Sequence, residues 1–278
     1  MIFSFGKKGI DRYLPSCSKI KQNHKVLFLQ PIKRAINWIL KKFFQLIPAK
    51  LRRSIAESCI RFEVHEPAKD ALSFLLNLDS LIYQITGFKS IDYNGGRHIK
   101  HRVTGYHDFF VTRVKPDERV IDIGCGKGEV AYEIATKAGG SVLGIDYNEQ
   151  WLNSAKQNYQ HPKLEFILED AEQYIPHVKF DTVILSNVLE HIEDRVSFLQ
   201  KVNRHVHPDR FLIRVPLFNR DWRVPLKKEL GLPYLLDDTH CTEYTQESFE
   251  QEMVGAGLSV NHLEIRWGEI WAEVIPDA

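Results

Sequence analysis

A chain of 278 residues, 44% apolar and 26% charged, has an ordinary globular composition and room for one large domain or a domain plus an extension. Its four cysteines, Cys17, Cys59, Cys125 and Cys241, form no CxxC pair, which argues against a zinc knuckle or a redox pair. The net charge of +1 hides a split: residues 1–61 hold 14 of the 37 Lys+Arg and 2 of the 36 Asp+Glu, a net of +12, which leaves −11 on the rest. A basic head on an acidic body suits contact with an anionic surface, membrane or nucleic acid, and equally suits attraction between the two parts.

Residues 1–25 read as irregular. From Ile32, the apolar set Ile32, Ile36, Ile39, Phe43 and Ile47 falls on one helical face between Pro31 and Pro48. Lys33, Arg34, Lys41 and Lys42 are interspersed, and such a basic amphipathic helix can lie in a membrane interface or pack on a protein surface. The early lysines are not followed by an apolar core of signal-peptide length, and no apolar run reaches bilayer-spanning length. The expected location is therefore cytoplasmic, with the inner membrane face as a site of association through residues 1–61.

A second helical tract covers Pro67–Ile85, and Tyr93–His98 reads as a turn. These assignments divide the chain into a basic helical extension, 1–90, and a main domain, 91–278. The stretch 97–110, dense in His, Arg and aromatics, is placed to lid the glycine-rich segment that begins at Val120.

From Arg119 strands and helices alternate. Strands are expected at Val120–Ile123, Ser141–Asp146, Leu164–Glu169, Phe180–Leu185 and Arg210–Val215, with helices after most of them. A helix near Gln246–Ala256 precedes strands Leu258–Arg266 and Glu269–Ile275, joined at Trp267–Gly268. That rhythm predicts an α/β, doubly wound, mostly parallel sheet covered on both faces. The long connection from Pro216 to His240 reads as a binding lid.

The run Val120-Ile-Asp-Ile-Gly-Cys-Gly-Lys-Gly128 is a strand, a tight turn and a helix start. Glycine permits the turn and close approach of a ligand, and the helix start offers free N–H groups. The spacing is G-x-G-x-G, not the dinucleotide G-x-G-x-x-G, so a nicotinamide dehydrogenase is the weakest reading. Asp146 ends the next strand at a distance suited to ribose hydroxyls.

VIDIGCGKG, the GIDYN strand end, LEDA at 168–171 and FDTVILSNVLEHIED at 180–194 resemble, in order, the motifs of class I S-adenosylmethionine-dependent methyltransferases. The resemblance runs from about Tyr106 to the C-terminus. It implies a Rossmann-like, seven-stranded, mostly parallel sheet with one antiparallel strand near its edge. It implies S-adenosylmethionine as cofactor, its methionine part on Gly124, Gly126 and Gly128, with Asp122 supporting the turn or the amine. Asp146 would hold the ribose, Tyr147 would lie against the adenine, Asp170 would accept the adenine amino group with Ala171 beside it, and Ser186 and Asn187 would flank the sulfonium. For Asp146 and Asp170 the alternative is a carboxylate capping a helix. Cys125 reads as a small turn residue.

Leu189-Glu190-His191 is similar to a tripeptide of small-molecule methyltransferases, quinone-pathway and sugar O-methyltransferases among them. His191 suits a general base for an acceptor hydroxyl, with Asp221 or His240 orienting the acceptor. The alternative is a histidine that shapes the loop. Some relatives bind a divalent metal with acids and histidines from these two loops; in Glu190, His191, His240 and Glu243 that pattern is incomplete, since Asn187 stands where the RNA enzymes carry Glu, so no metal ligand is assigned and a metal site stands as the lesser alternative. The expected activity is O-methylation of a small or lipid-linked acceptor, a glycan or quinone precursor. An RNA methyltransferase gripping phosphates with the basic head, and a non-catalytic cofactor-binding scaffold, stand as alternatives.

Overall fold

The computed structural model describes residue 38 and residues 42–277, in two compact units divided between Glu66 and Pro67. In the first unit, Pro48 leads into helix α1 (Ala49–Phe62), which carries Lys50, Arg52, Arg53 and Arg61 between Leu51, Ile55 and Ile60. The amphipathic stretch from Ile32 lies largely outside the described residues; within it, 42–46 is helical. No described helix is long and apolar enough to cross a membrane.

The second unit opens with α2 (Ala68–Tyr93), 26 residues long. The apolar pattern predicted an end at Ile85, and the division at 90/91 falls inside this helix. Gly87 alone does not break it; it stops where Gly95 and Gly96 both take positive φ. Two short helices follow, α3 (Lys100–Thr104) and α4 (Tyr106–Val111), hinged at Gly105 with φ +63°.

The remaining strands are β1 (Arg119–Ile123), β2 (Ser141–Asp146), β3 (Leu164–Leu168), β4 (Thr182–Ser186), β5 (Arg210–Pro216), β6 (Leu258–Arg266) and β7 (Glu269–Pro276). They form one sheet in the order β3-β2-β1-β4-β5-β7-β6. Strands β1 to β5 are parallel, and β7 is antiparallel to both its neighbours. The expected seven-stranded, mostly parallel sheet is therefore present, with its reversed strand one place in from the edge. The order reverses between β1 and β4, where open α/β sheets leave a crevice at the carboxyl ends of the strands.

Helices α5 (Glu129–Glu133), α6 (Glu149–Asn158), α7 (Arg195–Val206), α8 (Arg223–Glu229) and α9 (Gln246–Gly255) complete the unit. Alternation along the strands feeds two cores. Ile121, Ile123, Val183, Leu185, Phe211 and Ile213 meet Leu199 and Val202 of α7 and Phe249 and Met253 of α9. Val120, Ile184 and Leu212 face the other way, toward Phe109, Phe110, Ala131 and Leu152. Burial on both faces explains why these strands read as nearly continuous apolar runs.

The third loop glycine is a packing residue. Gly128 has φ +81°, and a Cβ there would lie 2.5 Å from Phe166 Cζ and 3.1 Å from Ala155 Cβ. Phe166 of β3 also fills the space that a Cβ on Gly144 would need. Replacing Gly128→Ala combines left-handed strain with overpacking against a buried ring, together about 2–4 kcal/mol. Thermal unfolding should show a midpoint lower by roughly 5–15 °C, and an unchanged midpoint would refute the packing account.

Candidate functional site

The crevice at the strand reversal is a cleft of ≈ 170 Å³. Asp122 and Ser186 come from the strands, Gly124 to Lys127 from the glycine loop and Glu129 from the start of α5, and Tyr106 and Arg214 close it. Asp122 faces away from Ile121 and Ile123; it is 2% exposed, and its Oδ2 has no hydrogen-bond partner. Burial, with Asp146 nearby, pushes its carboxyl up to about 8.

Asp146, also buried, shapes the loop from below. Its Oδ2 accepts from the Gly126 N–H at 2.8 Å and its Oδ1 from the Asn148 N–H at 2.7 Å. Asn148 in turn caps α6, its side chain accepting from the Trp151 N–H. Burial raises the pKa of Asp146 against the lowering by these two backbone donors. The N–H groups of Gly124 and Cys125 both go to the Ile145 carbonyl of β2, and that of Gly128 to the Cys125 carbonyl, so the loop offers shape more than free donors. Gly126 is the glycine that stays bare: at φ +58° a Cβ there would meet nothing within 4 Å. The Cys125 thiol is buried, and burial beside Asp122 and Asp146 raises its pKa, which suits a turn residue and not a nucleophile.

At the ends of β2 and β3, Tyr147 is exposed and Asp170 sits in a turn, its Oδ1 accepting from the Glu172 N–H at 2.9 Å, with Ala171 half-buried beside it. At the end of β4, Asn187 takes φ +58°. Its Oδ1 accepts from Arg214 Nε at 2.7 Å, and its N–H bonds the Arg214 carbonyl at 2.8 Å.

The chain then makes a 3-10 turn, Leu189–His191, that sends Glu190 inward and His191 outward. Glu190 is fully buried, neither carboxylate oxygen has a hydrogen-bond partner, and burial raises its carboxyl to about 7. The rings of His191 and His240 meet edge to face, centroids 4.7 Å apart. Ligand-capable atoms of Glu190, His191 and His240 all lie within 4.8 Å of one another. Thr239 Oγ1 lies 3.0 Å from His191 Nδ1 and donates its own proton to Asp237 Oδ1 at 2.7 Å. With the hydroxyl proton so committed, Thr239 accepts from Nδ1–H, and the lone pair of His191 lies on Nε2.

The sequence placed Asp221 with this group, and the structure does not. Its carboxylate pairs with Arg223 Nη2 at 2.6 Å and accepts from the Arg223 N–H at 2.9 Å; these bonds hold its pKa down to about 2. Arg223 in turn pairs with Asp79 of α2 at 2.8 Å. Asp221 is thereby consumed in seating α8. Glu243 is also structural: buried, it receives Arg220, the Leu236 N–H at 2.5 Å and His240 Nδ1 at 3.3 Å, and so folds the loop that presents His240. Sequence reasoning missed Arg214 and Tyr106. The signal was there for Arg214, a charged residue inside the apolar strand RFLIRV.

Residues 114–227 match the family model described as a methyltransferase domain. The ubiquinone biosynthesis O-methyltransferase of Rhodopseudomonas palustris (strain BisB5) is 29% identical over 165 residues, which cover 54% of this chain and 64% of that protein. That of Bradyrhizobium diazoefficiens is 29% identical over 120 residues, 42% of this chain and 47% of that one. The chain thus spans less than two thirds of the length of these relatives. Among solved structures, magnesium protoporphyrin IX methyltransferase from Synechocystis PCC 6803 with bound S-adenosylhomocysteine has a TM-score of 0.52 at 20% identity, covering 64% of this chain and 83% of that one. A chain of the Haloferax volcanii complex between the Trm112 methyltransferase activator and a methyltransferase has a TM-score of 0.53 at 14% identity, covering 65% and 92%. At these identities the structural likeness is one of fold.

Proposed function

We propose, from the premise that this chain belongs to the class I S-adenosylmethionine-dependent methyltransferases, that it methylates an oxygen of a small or lipid-linked acceptor, a glycan or quinone precursor. The observation that carries the reading is the Asp237–Thr239–His191 chain, which leaves Nε2 of an exposed histidine as a proton acceptor on the loop next to the cleft. The curated relatives are O-methyltransferases, which fits a hydroxyl acceptor.

When bound, the cofactor supplies an electrophilic methyl carbon on a sulfonium. Asp122 would take its ammonium, since the buried, unpartnered Oδ2 lacks a cationic neighbour. Bare Gly126 would face its methionine part alongside Gly124 and Gly128, which set the turn. Asp146 keeps lone pairs for the ribose hydroxyls, and Tyr147, Asp170 and Ala171 would border the adenine. Ser186 and Asn187 would flank the methyl group. His191 Nε2 would take the proton of the acceptor's hydroxyl, with His240 positioning the ring. Most of the rate would come from alignment.

A second reading rests on Glu190, whose buried oxygens have no partner. Glu190, His191 and His240 would then hold a divalent cation that lowers the acceptor hydroxyl's pKa, and His191 would be a ligand.

The basic segment supports a membrane-docked protein. Lys50, Arg52 and Arg53 share α1 with exposed Leu51, Ile55 and Phe62, a pairing suited to anionic lipid.

Three outcomes are expected. His191→Ala should lower kcat about 10²-fold or more while S-adenosylhomocysteine affinity stays within about twofold; full turnover removes the base, and activity lost to a chelator and restored by Mg²⁺ or Mn²⁺ selects the second reading. Asp122 must be ionised to hold a cation, and below a pKa of about 8 that ionisation costs a proton. Cofactor affinity should therefore rise between pH 6 and 8, up to about tenfold per unit, level off above, and lose this slope in Asp122→Asn. The full chain should float with phosphatidylglycerol vesicles and not with phosphatidylcholine alone, and replacing Lys50, Arg52 and Arg53 by Glu should weaken flotation; equal flotation sinks the docking idea.

A further inference from the structure

Helix α2 has two opposite faces, and its own domain uses one of them. With 3.6 residues to a turn, Leu76, Asp79, Ser80, Tyr83 and Gly87 fall on one side. That side meets the body of the second unit. Leu76 is buried, Asp79 pairs with Arg223 at 2.8 Å, and Ser80 Oγ and Tyr83 Oη accept from Lys227 Nζ at 2.9 Å and Lys100 Nζ at 2.8 Å. Phe74, Leu78, Leu81, Ile85 and Phe88 fall on the other side, half a turn away. Of these, Phe74, Leu81, Ile85 and Phe88, with Ile82 beside them, are 47–70% exposed. From Leu81 to Thr86 every residue is exposed. A helix this apolar on the face turned from its own domain is built to be covered.

The spacing of the stripe sets the shape of what covers it. Its members recur alternately four and three residues apart, the seam of a paired helix. Anionic lipid would need cations at the rim, and α2 holds Lys69 and Lys89 against Asp70, Asp79 and Asp92. We propose that the stripe is covered by α2 of a second copy of this chain, in an antiparallel two-fold pair. An axis crossing between residues 79 and 80 sets Leu78 of each copy against Leu81 of the other, and Phe74 against Ile85. The flanks then match too: Asn77 comes beside Gln84, both exposed amides, and Leu75 beside Ile82. A parallel pair would instead set Asp92, the next residue on the seam, against its own copy, like charge on like. It would also align the two helix dipoles, which an antiparallel pair opposes. The stripe offers about 500 Å² of apolar surface per protomer. The pair therefore buries on the order of 1,000 Å² before its flanks are counted, the threshold of a specific interface. None of the residues assigned to the cleft or to the loop after β4 takes part.

Sedimentation velocity of the full chain from about 1 to 200 µM should show a 32.3 kDa monomer converting to a dimer, with a dissociation constant on the order of 10 µM. Leu81→Glu puts two carboxylates at the centre of the seam and should weaken the dimer at least about 100-fold. Its thermal midpoint should stay within about 2 °C of wild type, because Leu81 points away from the body. Val254→Glu, at an exposed apolar position on α9, should leave the dimer intact. For direction, Phe74→Cys and Ile85→Cys are made separately in a chain whose Cys17, Cys59 and Cys241 are replaced by Ser. A short bismaleimide should cross-link a mixture of the two and neither alone. A chain that stays monomeric throughout, a dimer that survives Leu81→Glu, or either cysteine variant cross-linking with itself overturns the proposal. A monomer whose midpoint falls in Leu81→Glu marks a segment of the same chain on the stripe, and a monomer whose vesicle flotation is lost in Leu81→Glu marks a lipid surface there; both overturn it as well.

Discussion

The Asp146 carboxylate is the constraint on which the cleft depends. One oxygen holds the Gly126 N–H and the other the Asn148 N–H, so a single buried group ties the loop after β1 to the turn after β2. Three glycines at positive φ make the loop sharp enough to be tied this way. Gly128 then lets α5 close on Phe166, and Gly124 lies where a Cβ would be 2.7 Å from Val188. The loop is therefore preorganised by its own chain before any ligand arrives. That rigidity has an electrostatic consequence. Asp146 is tied by backbone donors that favour its charge, whereas Asp122 beside it has none, so the two acids are pushed toward different protonation behaviour by environment alone.

A second tie joins the cleft to the loop beyond β4. Arg214 bonds Asn187 by side chain and by main chain, and Asn187 sits in the left-handed region that a β-branched residue there would resist. From that corner the chain turns Glu190 into the interior and His191 to the surface. The same guanidinium that walls the cofactor cleft thus sets the direction of the loop carrying the proposed base.

Much of this was legible in the sequence because it is local. Strand β2 has the bounds read from alternation, and β1, β3, β4 and β5 lie within two residues of theirs at either end, since a parallel sheet buried on both faces leaves long apolar runs with little ambiguity of register. The glycine turn and Asp146 were legible for the same reason: their spacing is fixed by one strand, one turn and one helix. Helix α2 outran its reading because the apolar set ends before the backbone does. Asp221 was misplaced because its partner Arg223 lies two residues on and Asp79 lies 142 residues back. A loop rich in Arg and Asp advertises charge without saying which charges cancel. Thr239 and Asp237 went unnoticed because neither residue type stands out until the loop folds over His191.

This division between local and distant has a physical consequence for what the domain can recognise. The cleft draws on β1, β4 and β5 and on the glycine loop that Asp146 ties to β2, all fixed by the sheet, so its chemistry cannot drift without disturbing the core. The loop from 216 to 243 is held differently, by buried Glu243 gathering Arg220, Leu236 and His240. Those bonds point inward and set the path of the main chain, while Trp222 stays exposed and His191 reaches the surface opposite Thr239. Side chains on the outer face of such a loop can change without costing the loop its fold, because none of the inward bonds involves them. The cleft is therefore bound to the fold, and the acceptor recognition proposed for the loop would fall to a surface whose support is separate from its contacts.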